Sequence, residues 1–188
     1  MVAQRKNKDP LMTLSQQLLE EKANDYEEPL YQEELDRLDS LPGKFESDDW
    51  TNDDLEWIIT WKVGKAFEKP VLRHFRSNPD GRISDAIETA VTARAVGDKV
   101  DALTSIKGVG VPVASAILLF IDPDRFTVID ERAWRALREM EYIDRELSEV
   151  PTIEEYVLYL GACRSLANEY EVDLRTLDRA LWTLGVDE

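Results

Sequence analysis

Apolar residues recur along this chain at helical rather than strand spacing. Leu55, Ile58, Ile59 and Val63 predict a helix over 52–76, with Asn52, Asp53 and Asp54 as capping candidates and Pro70 as the point where it kinks or splits. The turn Asn78-Pro79-Asp80-Gly81 leads to a helix over 83–96, capped by Ser84 or Asp80 and ended by Gly97, and then to a short helix over 98–105. An apolar helix over 112–121 stops at Asp122-Pro123-Asp124. An extended piece over 125–129 feeds a helix over 130–140, and helices over 152–170 and 173–184 follow. Thr152 and Glu155 form a capping-box pattern. In the last helix Leu174, Leu177, Leu181 and Trp182 make a packing face, with Arg175, Asp178 and Arg179 outside it or in an ion pair. Residues 1–48 are polar and acidic, with amphipathic pieces over 11–22 and 30–38 closed by Leu41-Pro42-Gly43, and weak order is expected at the extreme N-terminus. Alternating strand pairs and internal repeats are absent from the pattern, so the fold class is all-α.

The most specific local feature is 106–113, IKGVGVPV. Gly108 and Gly110 permit positive backbone angles and a close approach by another backbone, while Val109 can plug the turn into the core. Pro112 suits the first turn of the next helix, where the amides of Gly110, Val111 and Val113 can point outward as phosphate-binding groups. An ordinary glycine-capped turn between two helices would show the same residues.

Composition sharpens this picture. A chain of 188 residues with 43% hydrophobic content can bury the core of one ordinary domain or two packed lobes. The apolar run 109–121 is too short to span a bilayer, which needs about 20 residues. The polar start leads into no secretory signal pattern, so a cytoplasmic protein without membrane contact is expected. A single cysteine, Cys163, and a single histidine, His74, exclude an internal disulfide and any Cys/His zinc or iron-sulfur site. Cys163 reads as a small buried residue and His74 as structural or solvated.

The net charge of −16 argues against a nucleic-acid partner unless the charge is unevenly placed, although an excess of carboxylates is also what a salt-adapted (halophilic) protein shows. It is unevenly placed. Lys62, Lys65, Lys69, Arg73 and Arg76 against Glu68 alone give one segment +4 and leave −20 for the remainder. On a continuous helix those five cations fall within roughly 80° of arc, as a phosphate-tracking stripe aided by Lys107 or as a solvated face paired with carboxylates. Trp57 and Trp61 share a face of the same helix, as core or as walls of a pocket for an extruded base.

The block IKGVGVPVASAILLFIDPDRFTVIDERAWRAL resembles the core of the helix-hairpin-helix DNA glycosylase superfamily over about 32 residues. The resemblance implies a two-lobed helical fold with a central helix-hairpin-helix motif. The organisation it suggests is an acidic arm over 1–48 and a glycosylase-like domain over 49–188. Within that domain a middle lobe covers about 79–145, and a second lobe is built from 49–78 plus 146–188. It also implies double-stranded DNA as partner, contacted by Lys107, Gly108, Val109, Gly110 and Val111 of the hairpin and by Lys62, Lys65, Lys69 and Arg73. Asp130 stands where the family carries its catalytic aspartate, about twenty residues after the second hairpin glycine, and Arg135 where an arginine is usual five residues later. A carboxylate there stabilises the positive charge that develops on the sugar as the N-glycosidic bond breaks, and can orient the attacking water; an aspartate that merely caps its helix would look the same, and Glu131 is the nearest alternative acid. A monovalent cation at the hairpin carbonyls is implied as well, with no organic cofactor.

The departures from the family pattern are specific. Pro112 occupies the position of the Schiff-base lysine of bifunctional members, so lyase chemistry by that residue is absent. Glu131-Arg132 replaces the usual pair after the aspartate, and the cysteine cluster of the iron-sulfur branch is missing. The expectation is a monofunctional base-excision glycosylase. The alternatives are a non-catalytic nucleic-acid-binding module on the same fold, or a helical protein-interaction protein.

Overall fold

A computed structural model describes residues 14–26 and 31–186, and the expectations for the extreme N-terminus and for the starts of the two early amphipathic pieces lie outside them. Among the described residues the chain is all-helical, with no strand. The helices are α1 (Gln16–Asn24), α2 (Tyr31–Ser47), α3 (Asn52–Val63), α4 (Glu68–Phe75), α5 (Asp80–Thr92), α6 (Val96–Thr104), α7 (Val111–Ile121), α8 (Glu131–Glu139), α9 (Ile153–Glu169) and α10 (Leu174–Leu184).

α7 is the centre of the molecule. Every residue from Val111 to Phe120 except Pro112 is buried, and α2, α3, α6 and α9 pack around it. A helix apolar on all sides has no solvent face to keep, and each large side chain buried there contributes roughly 1.5–3 kcal/mol. α5 packs on α6, while α10 packs against α1, α8 and α9. The described part of the N-terminal segment therefore shares the core, with Leu19, Leu41 and Phe45 buried.

Caps set many of the boundaries. Thr51 with Asp54 and Thr152 with Glu155 close capping boxes on α3 and α9, and Asp173 accepts from the Thr176 amide to start α10.

Three expected boundaries are corrected. α2 runs straight through Pro42 and Gly43, where a stop was expected, because burial of Leu41 and Phe45 outweighs the hydrogen bond that proline removes. Gly97 is the second residue of α6 instead of the end of α5, which breaks earlier at the extended Ala93. The expected helix over 52–76 splits at Gly64, whose φ of 73° ends α3, whereas Pro70 sits unstrained in the first turn of α4. The five cations therefore do not lie on one continuous helix: Lys62 belongs to α3, Lys65 to the turn, and Lys69 and Arg73 to α4, with Arg76 as its C-cap.

Candidate functional site

The turn over 105–110 joins α6 to α7 and is clamped from outside. Gly108 has φ 88°, and a Cβ there would lie 2.8 Å from the Val71 carbonyl and 3.0 Å from the Phe75 amide, so the backbone that comes close to this glycine is that of α4. The buried Asn78 completes the clamp. Its side chain donates to the Lys107 carbonyl at 3.0 Å and accepts from the Lys107 amide at 3.0 Å, while also donating to the Phe75 carbonyl at 2.7 Å. Val109 is buried as the plug, whereas Gly110 is extended, with φ −90°, and serves as the N-cap of α7. Of the two glycines only Gly108 needs its conformational freedom. The carbonyls of Ile106, Lys107 and Gly110 accept hydrogen bonds from Val109, Asn78 and Ala114.

Asp130 is placed by α7. Ser115, on the second turn of that helix, donates to the Pro112 carbonyl at 2.7 Å and accepts from the Ile129 amide at 3.1 Å. Tyr156 on α9 donates to the Thr127 carbonyl at 3.1 Å from the other side. The buried extended segment through Phe126, Val128 and Ile129 is thus pinned along its length, and Asp130 emerges at the head of α8. One carboxylate oxygen, Oδ1, accepts from the Arg132 amide at 2.9 Å as an N-cap; the other, Oδ2, lies 3.2 Å from the Lys62 ammonium. Side-chain exposures of 14% for Lys62 and 30% for Asp130 leave the pair reachable from solvent.

Two cavities meet at this pair. A cleft of about 440 Å³ is lined by Lys62, Pro112, Asp130, Glu131, Trp134 and Arg135, together with residues of the loop ahead of α9. A chamber of about 90 Å³ on the other side has walls from Tyr26, Trp61 and Trp182, with Lys62, Asp130, Arg175 and Asp178 as its polar groups. Arg132 stacks over Trp182 at 4.1 Å, and Arg175 lies 5.5 Å from the Trp61 ring centre.

Behind the chamber stands a buried charge network. Glu34 on α2 accepts from Arg175 at 2.8 Å and from Arg179 at 2.7 Å, and Arg175 also pairs with Asp178. Burial alone would raise the Glu34 pKa, but Arg175 and Arg179 outweigh it and hold the carboxyl below its ordinary range. Asp178 goes the other way, raised by burial and by the nearby charges of Asp130 and Glu34 despite Arg175 and Lys62. Of the two arrangements expected for Arg175, Asp178 and Arg179, the ion pair is the one observed.

The structure thus brings Asp130, Lys62, Trp61 and Pro112 to one place. Trp57 is not part of it: its indole donates to Glu33 at 3.0 Å, and its ring, like that of Trp61, meets Phe120 edge-on. Lys69 and Arg73 line a separate open cleft of about 510 Å³ with Leu72, Arg76 and Ser77, and Arg76 is ion-paired with Glu56. Lys65 and Lys107 are exposed. No family model, curated protein or solved structure matches this chain. Sequence reasoning missed Asn78, Ser115 and Glu34. Ser115 alone carried a signal, as the one hydrogen-bonding side chain inside the run VGVPVASAILLFI.

Proposed function

We propose that the protein is a monofunctional DNA glycosylase of the helix-hairpin-helix type, with Asp130 as the catalytic carboxylate. The observation that carries the reading is the position of Asp130 between an open cleft and an aromatic-walled chamber, beside the N-terminus of α7. In this reading the chamber receives the extruded base between Trp61 and Trp182, and the cleft receives the sugar. As the N-glycosidic bond lengthens, positive charge grows on the sugar and the fixed Asp130 carboxylate opposes it. Lys62 orients that carboxylate, and its ammonium, which lines the chamber, can protonate the departing base. The α6–α7 turn and the cationic side of α4, joined through Gly108 and Asn78, contact the phosphates of double-stranded DNA as one unit.

The test is abasic-site formation in duplexes carrying a panel of damaged and mispaired bases. Activity that vanishes in Asp130→Asn while duplex binding persists supports the reading; wild-type protein inert on every lesion counts against it.

A second reading has its own observation. Both oxygens of Asp130 are already engaged, one by the helix amide and one by Lys62, as a purely structural carboxylate would be. A non-catalytic DNA-binding module would bind duplexes with steep salt dependence and release no base.

A further inference from the structure

One face of α9 is buried against α6, α7 and α10, while the opposite face is exposed and apolar near its middle. Val157 is 45% exposed and Leu158 37%, and Gly161 stands about one turn further on. A Cβ at Gly161 would meet nothing within 4 Å, so no neighbour in this chain requires a glycine there. Glycine inside a helix nevertheless costs roughly 0.5–1 kcal/mol relative to alanine. What it offers in return is a bare stretch of helix that a second backbone can approach closely.

The charges that border this face are unspent. Glu154, exposed in the first turn of α9, has no ion-pair partner among the described residues. Arg164 donates to the Arg125 carbonyl and meets no carboxylate among the described residues. At 100° per residue Glu154, Val157, Leu158, Gly161, Arg164 and Ser165 fall within roughly 120° of arc, so they form a single stripe. Between Glu154 and Glu169 the exposed stripe carries no acid. In a chain of net charge −16 it is a face that an equally acidic molecule can approach.

The spacing identifies that molecule. When two antiparallel copies of one helix are related by a two-fold axis at the level of Tyr159, residues equally far before and after that position face one another. Val157 of each copy then comes level with the open Gly161 of the other, and Glu154 with Arg164, so one register satisfies the apolar and the charged pair together. We propose that the protein forms a homodimer through the exposed face of α9, with Val157 of each copy seated on Gly161 of the other and Glu154 paired with Arg164. The dimer does not depend on the glycosylase reading.

The experiment uses the full chain. A contact of one helix face per copy is small, so sedimentation equilibrium should show assembly over about 10 μM to 1 mM. Gly161→Leu, placed where a Cβ meets nothing in the single chain, should keep or raise the thermal midpoint while weakening association by about ten-fold or more. Glu154→Arg should weaken it a few-fold. Cross-linking checks the register: in Leu158→Cys the two thiols lie one residue either side of the axis, about 3 Å apart along the helices, and mild oxidation should link them. Ser165→Cys is exposed on the same stripe but leaves about 18 Å between copies, and should not link. Cys163 is buried and stays out of the reaction. A wild type that remains monomeric throughout that range, a Gly161→Leu variant that associates like wild type, or equal linking in the two cysteine variants overturns the dimer.

Discussion

Lys62 and Asp130 are separated by 68 positions in the chain, yet their charged groups lie 3.2 Å apart. The contact joins the last turn of α3 to the first turn of α8 across the N-terminus of α7. It makes Asp130 do two jobs, because the same carboxylate also caps its helix.

Those jobs separate by substitution. Asparagine at 130 keeps a cap acceptor for the Arg132 amide, while alanine keeps none and is expected to cost about 1 kcal/mol more. Thermal or urea unfolding should therefore rank Asp130→Asn above Asp130→Ala, and under the proposed glycosylase function both should be inactive in base release. Equal stabilities would show that the cap contributes nothing.

The α6–α7 turn gives a second expectation. Gly108→Ala forces a Cβ against the Val71 carbonyl at a φ of 88°, and should destabilise by about 1–3 kcal/mol, since neither the strain nor the overlap has a flexible side chain to absorb it. Asn78→Ala removes both hydrogen bonds to Lys107 and leaves partly buried backbone groups without them, at a cost of about 1–3 kcal/mol. Hydrogen exchange should show the Lys107 amide losing protection in Asn78→Ala while the amides of α9 keep theirs.

Legibility in the sequence follows the range of the interaction. The starts of α8, α9 and α10 are readable because their caps are local: Asp130, Thr152 with Glu155, and Asp173 each act within three residues. Pro42 misleads because what holds α2 together there is the burial of Leu41 and Phe45, a tertiary effect. Gly64 and Pro70 both break helices in general, and only a place in the first turn of α4 makes the proline harmless. The partnership of Lys62 with Asp130, and of Glu34 with Arg175 across 141 positions, leaves no mark in any local pattern.

The buried network makes stability pH-dependent with a definite sign. Arg175 and Arg179 hold the folded-state pKa of Glu34 below its ordinary value of 4.5. Its contribution is therefore fully present above about pH 4.5 and is lost as pH falls through the lowered folded value. Asp178 is raised above 3.8 and acts in the opposite sense, contributing below 3.8 and losing that contribution as pH rises through its folded value. Glu34→Gln should be less stable at neutral pH by about 3–5 kcal/mol, because the buried Arg175 and the partly buried Arg179 lose the carboxylate they share. Its urea midpoint should also fall less steeply than the wild type's between about pH 5 and pH 3. Parallel acid limbs would show that Glu34 does not set the wild type's acid sensitivity.

The end of α10 allows a cleaner packing test. Gly185 lies so close to α8 that an added Cβ would overlap the Arg132 carbonyl, and Arg132 in turn stacks on Trp182 at the chamber wall. Gly185→Ala must push α10 away from α8, at about 1–3 kcal/mol or more, and shift Trp182. Unfolding should report the loss and tryptophan fluorescence the displacement. A variant as stable as wild type would mean that the two helices do not meet in this way.

In a protein of net charge −16, the proposed DNA binding requires a local field of positive charge, and α4 offers the clearest test of it. Lys69 and Arg73 are exposed beside the open cleft, whereas Arg76 is already neutralised by Glu56. If α4 tracks phosphates, reversing Lys69 and Arg73 to glutamate should weaken duplex binding and flatten the dependence of log K on log salt by about 0.9 for each phosphate no longer neutralised. Arg76→Glu should change that slope far less, because its charge is spent within the protein. Filter binding across a salt series measures all three. An unchanged slope in the double variant would show that α4 does not track phosphates.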